Sequence, residues 1–156
     1  MNERNESAYF DLFNFDVSIR ELLGRAIKTE IEEAEIYRDL LEKDLLEETR
    51  SKVERFITQE EDHKEKLEAT FDDFFPGEEI PLPDRSGIEI PKEVSQGVAP
   101  KELMEKAMEA ESDAEEFYRE MIHEFEKKEV RRLLGFLASN EREHYEILKE
   151  ELGKLE

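Results

Sequence analysis

The chain has 156 residues, 44 of them acidic and 23 basic, giving a formal charge of −21 at neutral pH with 37% hydrophobic residues. That length suits one domain (1–156) with a real core. The charge excludes a nucleic-acid binder, which must neutralise phosphates, and a protein adsorbed on an anionic membrane. No apolar run approaches the roughly 20 residues of a transmembrane helix, and the stretch from Met1 to Glu6 has no apolar signal core. A cytoplasmic protein is the expectation. Cysteine is absent, which removes disulfides, thiolate nucleophiles, Cys-held zinc and iron–sulfur clusters. Low hydrophobicity with high charge also fits a disordered chain, but the periodicity of the apolar residues argues against it.

In chain order, residues 1–17 form an N-terminal segment whose Tyr9, Phe10, Phe13 and Phe15 are aromatic enough to pack on a core. Ser18-Ile19-Arg20-Glu21 has the pattern of a capping box. The helix it opens carries Ile19, Leu22, Leu23, Ala26, Ile27, Ala34, Tyr37 and Leu41 at three- and four-residue spacing. A second helix reads through Val53, Phe56, Ile57, Leu67 and Phe71, completing a hairpin over 18–75. All five prolines lie between Pro76 and Pro100, with Gly77, Gly87 and Gly97 among them, so 76–100 is expected to be a non-helical crossover. Pro100 suits the first position of a third helix, whose stripe is Leu103, Ala107, Ala110, Ala114, Phe117, Tyr118 and Met121. Val130, Leu133, Leu134, Leu137, Ile147 and Leu148 mark a fourth, with Gly153 as its expected cap, closing a second hairpin over 101–152. The turns near 44–49 and 126–129 carry no Gly or Pro, so their boundaries are soft.

The two hairpins repeat. A shift of 81 residues lays Ala26 on Ala107, Glu30 on Glu111, Tyr37-Arg38 on Tyr118-Arg119, Glu60 on Glu141, His63 on His144 and Leu67 on Leu148, without a gap. An all-α antiparallel four-helix bundle follows, built from two hairpins related by a pseudo-twofold axis and joined by one long crossover.

The repeated polar residues carry chemistry. Each half supplies Glu-x₆-Tyr on its first helix (Glu30 and Tyr37, Glu111 and Tyr118) and Glu-x-x-His on its second (Glu60 and His63, Glu141 and His144). On a helix, i and i+3 lie about 60° apart and i and i+7 about 20° apart, so each Glu and His can grip one metal while each Tyr follows its Glu. Four carboxylates balance two divalent ions, and without them would repel one another. Carboxylates with imidazoles and open positions suit iron or manganese. Chance is a real competitor in so acidic a chain, as Glu120 and His123 show, since they share the same spacing. Glu120 lies about 180° around the helix from Glu111 and the pair has no repeat partner, so His123 reads as a surface residue. Tyr37 and Tyr118 are either core packing or hydrogen-bond donors to metal-ligating glutamates.

Glu30, Glu60-x-x-His63, Glu111 and Glu141-x-x-His144 resemble the ferritin-like di-iron carboxylate superfamily, with the rubrerythrin-type domain as the closest branch, over about residues 18–152. The resemblance implies two irons per chain. Glu60 and Glu141 would bridge them, Glu30 and Glu111 would be terminal ligands, and His63 and His144 would bind one iron each. It also implies oxidation of the diferrous site by hydrogen peroxide or dioxygen. Two departures stand out. No Cys-held rubredoxin iron is present, so electrons must come from a separate donor protein. The extra Glu of rubrerythrins, three residues after the third-helix ligand, is Ala114 here, and its repeat equivalent is Glu33, a possible extra ligand. Glu61 stands where bacterioferritins place a haem-binding Met, so no haem is expected. The alternatives to a peroxidase are a ferroxidase or iron-storage protein and a metal-stabilised bundle without catalysis. A homodimer or larger homo-oligomer is expected.

Overall fold

The computed structural model describes residues 16–84 and 92–155. Four long helices dominate: α1 (Asp16–Leu41), α2 (Glu47–Phe74), α4 (Pro100–Met121) and α5 (Lys128–Gly153), with a short α3 (Lys92–Gly97) in the crossover and a 3₁₀ turn, Ile122–Glu124. The closest packing is of α1 on α2 and of α4 on α5. The two hairpins meet mainly along α1 and α4, and much less along α2 and α5. Among the described residues there is no strand, and no helix is long and apolar enough to cross a membrane.

The core is two apolar layers with a polar layer between them. One apolar layer holds Leu22, Leu23, Ala26 and Ile27 with Leu67, Phe71, Leu134 and Leu137. The other holds Ile36, Leu40, Val53, Phe56, Leu103, Met104 and Leu148. Along every long helix the apolar stripe is interrupted at the same height by buried Glu or His: Glu30 and Glu33, Glu60 and His63, Glu111, Glu141 and His144.

Some sequence expectations are corrected. α1 is already helical at Asp16, so Ser18 lies inside the helix rather than capping it. The crossover is not devoid of helix, since the five residues between Pro91 and Gly97 contain no breaker and form most of α3. Ser95 of α3 is buried and donates to Asp39 Oδ2 at 2.8 Å, anchoring the crossover on α1. Gly153 is the last residue of α5 and takes no left-handed cap. The helix instead closes through i→i+3 bonds from the amides of Lys154 and Leu155 to Glu151 and Leu152. The N-terminal aromatics Tyr9, Phe10, Phe13 and Phe15 lie outside the described residues.

Glycine matters at two places in this frame. Gly77 has φ 76° and turns the chain out of α2, a conformation glycine adopts without a Cβ penalty. Gly24 is buried where the crossover passes over α1, and a Cβ there would strike the Pro81 carbonyl oxygen. The hairpin turns use arginine instead. Arg50 donates to the carbonyls of Leu41 and Lys43 at 2.9 and 3.0 Å. Arg131, its equivalent in the repeat, donates to the carbonyl of Phe125 at 3.0 Å.

Candidate metal centre

The polar layer brings together all six Glu and His residues singled out by the repeat. Ligand atoms of Glu30, Glu60, His63 and Glu141 lie within 4.8 Å of one another, as do those of Glu60, Glu111, Glu141 and His144. Glu60 and Glu141 are thus common to both groups. Each long helix contributes to this layer because its ligands are in phase with its apolar stripe, so burying the stripe buries the ligands.

The imidazoles present the same atom to the centre. His63 Nδ1 is 2.9 Å from Glu30 Oε1 and 3.4 Å from Glu60 Oε1. His144 Nδ1 is 3.3 Å from Glu111 Oε2 and 3.6 Å from Glu60 Oε1. The tyrosines serve the opposite hairpin. Tyr37 donates to Glu111 Oε1 at 2.7 Å, and Tyr118 donates to Glu30 Oε2 at 2.5 Å. In both halves the tyrosine holds one carboxylate oxygen, and the other oxygen is the one beside the imidazole. Spacing alone had each tyrosine following the Glu of its own helix; the bond crosses because the hairpins face each other across α1 and α4. Burial, reinforced by the Glu111 and Glu30 carboxylates respectively, holds both phenols well above their usual range, so they remain donors.

Electrostatics shows how unsettled this layer is without cations. Burial, then Glu30 and Glu111, pushes the Glu60 carboxyl up to about 7. Glu141 is raised well above its ordinary value by burial and then by Glu111 and Glu60. Burial opposes protonation of His63, yet its bond to Glu30 and the nearby Glu60 carboxylate outweigh it and raise the ring to about 10. Both oxygens of Glu60 and of Glu141, Oε2 of Glu111 and Nδ1 of His144 are buried without a hydrogen-bond partner. Buried lone pairs of this number call for protons or metal, and two divalent ions among four carboxylates and two imidazole nitrogens would satisfy them. The donor set therefore fits a dinuclear site.

Glu33 belongs to the same layer. It is 1% exposed, both its oxygens lack hydrogen-bond partners, and burial, then Glu111, Glu141 and Glu60, raises it well above the ordinary carboxylate range. Its repeat counterpart Ala114 is buried apolar packing. His123 is exposed in the 3₁₀ turn and Glu120 is exposed on α4, both apart from the centre.

Gln59 touches the candidate site and was missed by the spacing argument. Its Oε1 accepts from His144 Nε2 at 2.7 Å, which orients the ring so that Nδ1 faces the centre. A signal was present: an amide immediately precedes the ligand Glu in both halves, Gln59 before Glu60 and Asn140 before Glu141.

The rubrerythrin family model matches residues 21–152. A hypothetical protein from Pyrococcus furiosus has the same architecture, with a TM-score of 0.75 and 32% identity over 88% of this chain and 90% of that one. An uncharacterized protein from Archaeoglobus fulgidus is 44% identical over 55 residues, 35% of this chain and 86% of that protein. The bundle is ferritin-like, and with the match spanning all four long helices and the whole polar layer, the chain belongs to the rubrerythrin family of di-iron carboxylate proteins.

Proposed function

We propose that this protein holds two iron ions per chain and is an oxidoreductase that passes electrons from a separate donor protein to hydrogen peroxide or dioxygen. Glu30 and His63 would hold one ion, Glu111 and His144 the other, and Glu60 and Glu141, common to both ligand groups, would serve the two. The observation that carries this reading is the convergence of partnerless buried ligand atoms from both hairpins. When bound, the iron pair supplies reducing equivalents for cleaving or reducing an oxygen–oxygen bond. The protein residues prepare the surroundings. Tyr37 and Tyr118 keep the terminal carboxylates oriented, Gln59 sets the His144 ring, and two apolar layers keep bulk water from the centre. Glu33 is the spare carboxylate of this layer, buried with both oxygens free of hydrogen-bond partners. The carboxylates that act on it most strongly are Glu111 and then Glu141, and on that ground it would serve the His144 ion as an extra ligand.

Anaerobic titration with ferrous iron, followed by hydrogen peroxide and optical spectroscopy, tests the assignment. Two equivalents should bind per chain, and peroxide should oxidise them faster than dioxygen does. Binding near zero with the fold intact overturns the site. Rapid reaction with dioxygen, together with a cage-sized particle, would instead make the protein a ferroxidase of the storage type. A loaded centre inert to both oxidants would leave only a structural metal site.

A further inference from the structure

The shells around the two imidazoles are unequal. His144 is sealed: its side chain has no exposure, its outer nitrogen is bonded to Gln59, Phe56 lies with its ring centre 4.2 Å away, and Tyr37 stands edge-on at 6.2 Å. Phe56 is itself 1% exposed, locked in the apolar layer. His63 keeps 2% exposure, and its Nε2 has no hydrogen bond among the described residues. Asn140, the counterpart of Gln59, leaves its buried Oδ1 without a partner. The ring over His63 is Phe136, edge-on at 5.6 Å and 49% exposed. The Lys66 amine stands 5.2 Å from the ring centre and is tied to Asp62 at 2.7 Å. The repeat makes the difference explicit, since Phe136 corresponds to exposed Arg55, and buried Phe56 corresponds to Leu137.

We propose that divalent metal ions pass in and out of the centre along the seam between α2 and α5 beside His63, with Phe136 as its door, and that the ion held by His144 is the slowly exchanging one. This rests on the two-metal reading above. That seam is packed less closely than the α1–α4 seam. A half-exposed ring can leave its place by rotamer change within nanoseconds, whereas moving Phe56 requires opening a close-packed layer. The excess of acidic side chains at the surface raises the local cation concentration outside the door.

Cobalt(II), whose absorption reports its coordination, is the probe. The full chain is loaded with two equivalents, mixed with excess chelator, and the loss of the cobalt spectrum is followed. Two phases are expected. Phe136→Ala should speed the fast phase about tenfold, the rate equivalent of losing one edge-to-face ring contact, and leave the slow phase unchanged. Phe136→Trp should slow the fast phase, and Gln59→Leu should speed only the slow one. Phe136 is at the surface, so its variants should keep the wild-type melting profile. Equal release of both ions, or indifference of both phases to Phe136, overturns the door while the two-metal reading stands. Failure of the wild type to bind two cobalt ions overturns both.

Discussion

The crossed tyrosine bonds tie the two halves of the centre to each other. Each phenol binds the carboxylate of the other hairpin, so each also fixes the approach of α1 to α4. Tyr37→Phe and Tyr118→Phe remove one oxygen apiece without changing ring packing, and each should weaken metal binding about ten- to a hundredfold, the usual size of such outer contacts. Competition titration against a chelator measures this. A loss confined to one variant would mean that the pseudo-symmetry does not extend to the carboxylates. Glu33 breaks that symmetry, because Ala114 stands opposite. Glu33→Ala makes the halves alike at this position. It should preserve binding of two ferrous ions yet slow oxidation by peroxide about ten- to a hundredfold, the signature of a contact made after the ground state. Stopped-flow oxidation at the wild-type rate would remove Glu33 from the reaction.

At the scale of the helices, turns without glycine or proline are held by side chains reaching back to carbonyls. Arg50 satisfies two orphan carbonyls at the end of α1, and Arg131 satisfies one beyond α4. Arg50→Ala should therefore cost about 2 kcal/mol and Arg131→Ala about half that, since a hydrogen bond from a charged donor is being lost at a partly buried site. Urea unfolding measures both, and an order reversed between the two would contradict the bond count. A comparable clamp joins the opposite helix pair. Buried Glu151 of α5 accepts from Thr49 Oγ1 and Lys52 Nζ of α2, both at 2.6 Å, and from Lys154 Nζ at 2.7 Å. Although burial opposes it, the bonds from Lys154, Lys52 and Thr49 draw the carboxyl down to about 2. This clamp and the polar layer hold their protons in opposite senses.

The pH dependence of the whole molecule is the sum of those senses. Glu33, Glu60 and Glu141 are raised in the folded state, so the metal-free fold binds protons that the unfolded chain, with glutamates near 4.3, has already released. Their contribution is full below about pH 4 and is lost as pH rises, for Glu60 through about 7. His63, raised to about 10, gives stability that is full below its unfolded value near 6.5 and fades towards pH 10, in the same direction. Glu151 runs oppositely, losing its contribution only as pH falls from about 4.5 towards 2. Metal-free protein should thus be less stable at pH 8 than at pH 6, by on the order of 1 kcal/mol for Glu60 alone. Two divalent ions should replace those protons, raise the melting temperature by mass action and flatten the dependence. Calorimetry at the two pH values, with and without metal, checks this, and a metal-free protein equally stable at both would refute a buried carboxylate layer.

Helix phase explains what the sequence determined by itself. Within one helix the 3.6-residue period relates residues rigidly, so Glu60 and His63, or Glu30 and the Leu23–Ile27 stripe, could be placed on one face before any tertiary contact was known. The gapless repeat did the same for the pairing of the hairpins, and the acids of the polar layer announced themselves by their phase. Ser18, Gly153 and the crossover were misread because caps and short helices are decided by a few residues whose alternatives differ little in energy. Only the tertiary structure decided which hairpin each tyrosine serves, that Glu33 is buried against Glu111 and Glu141, and that Gln59 reaches His144 while Asn140 leaves its oxygen unpaired. Those are contacts between elements far apart in the chain, set by interhelical distance and by a single methylene of side-chain length, and no periodicity along one helix encodes them.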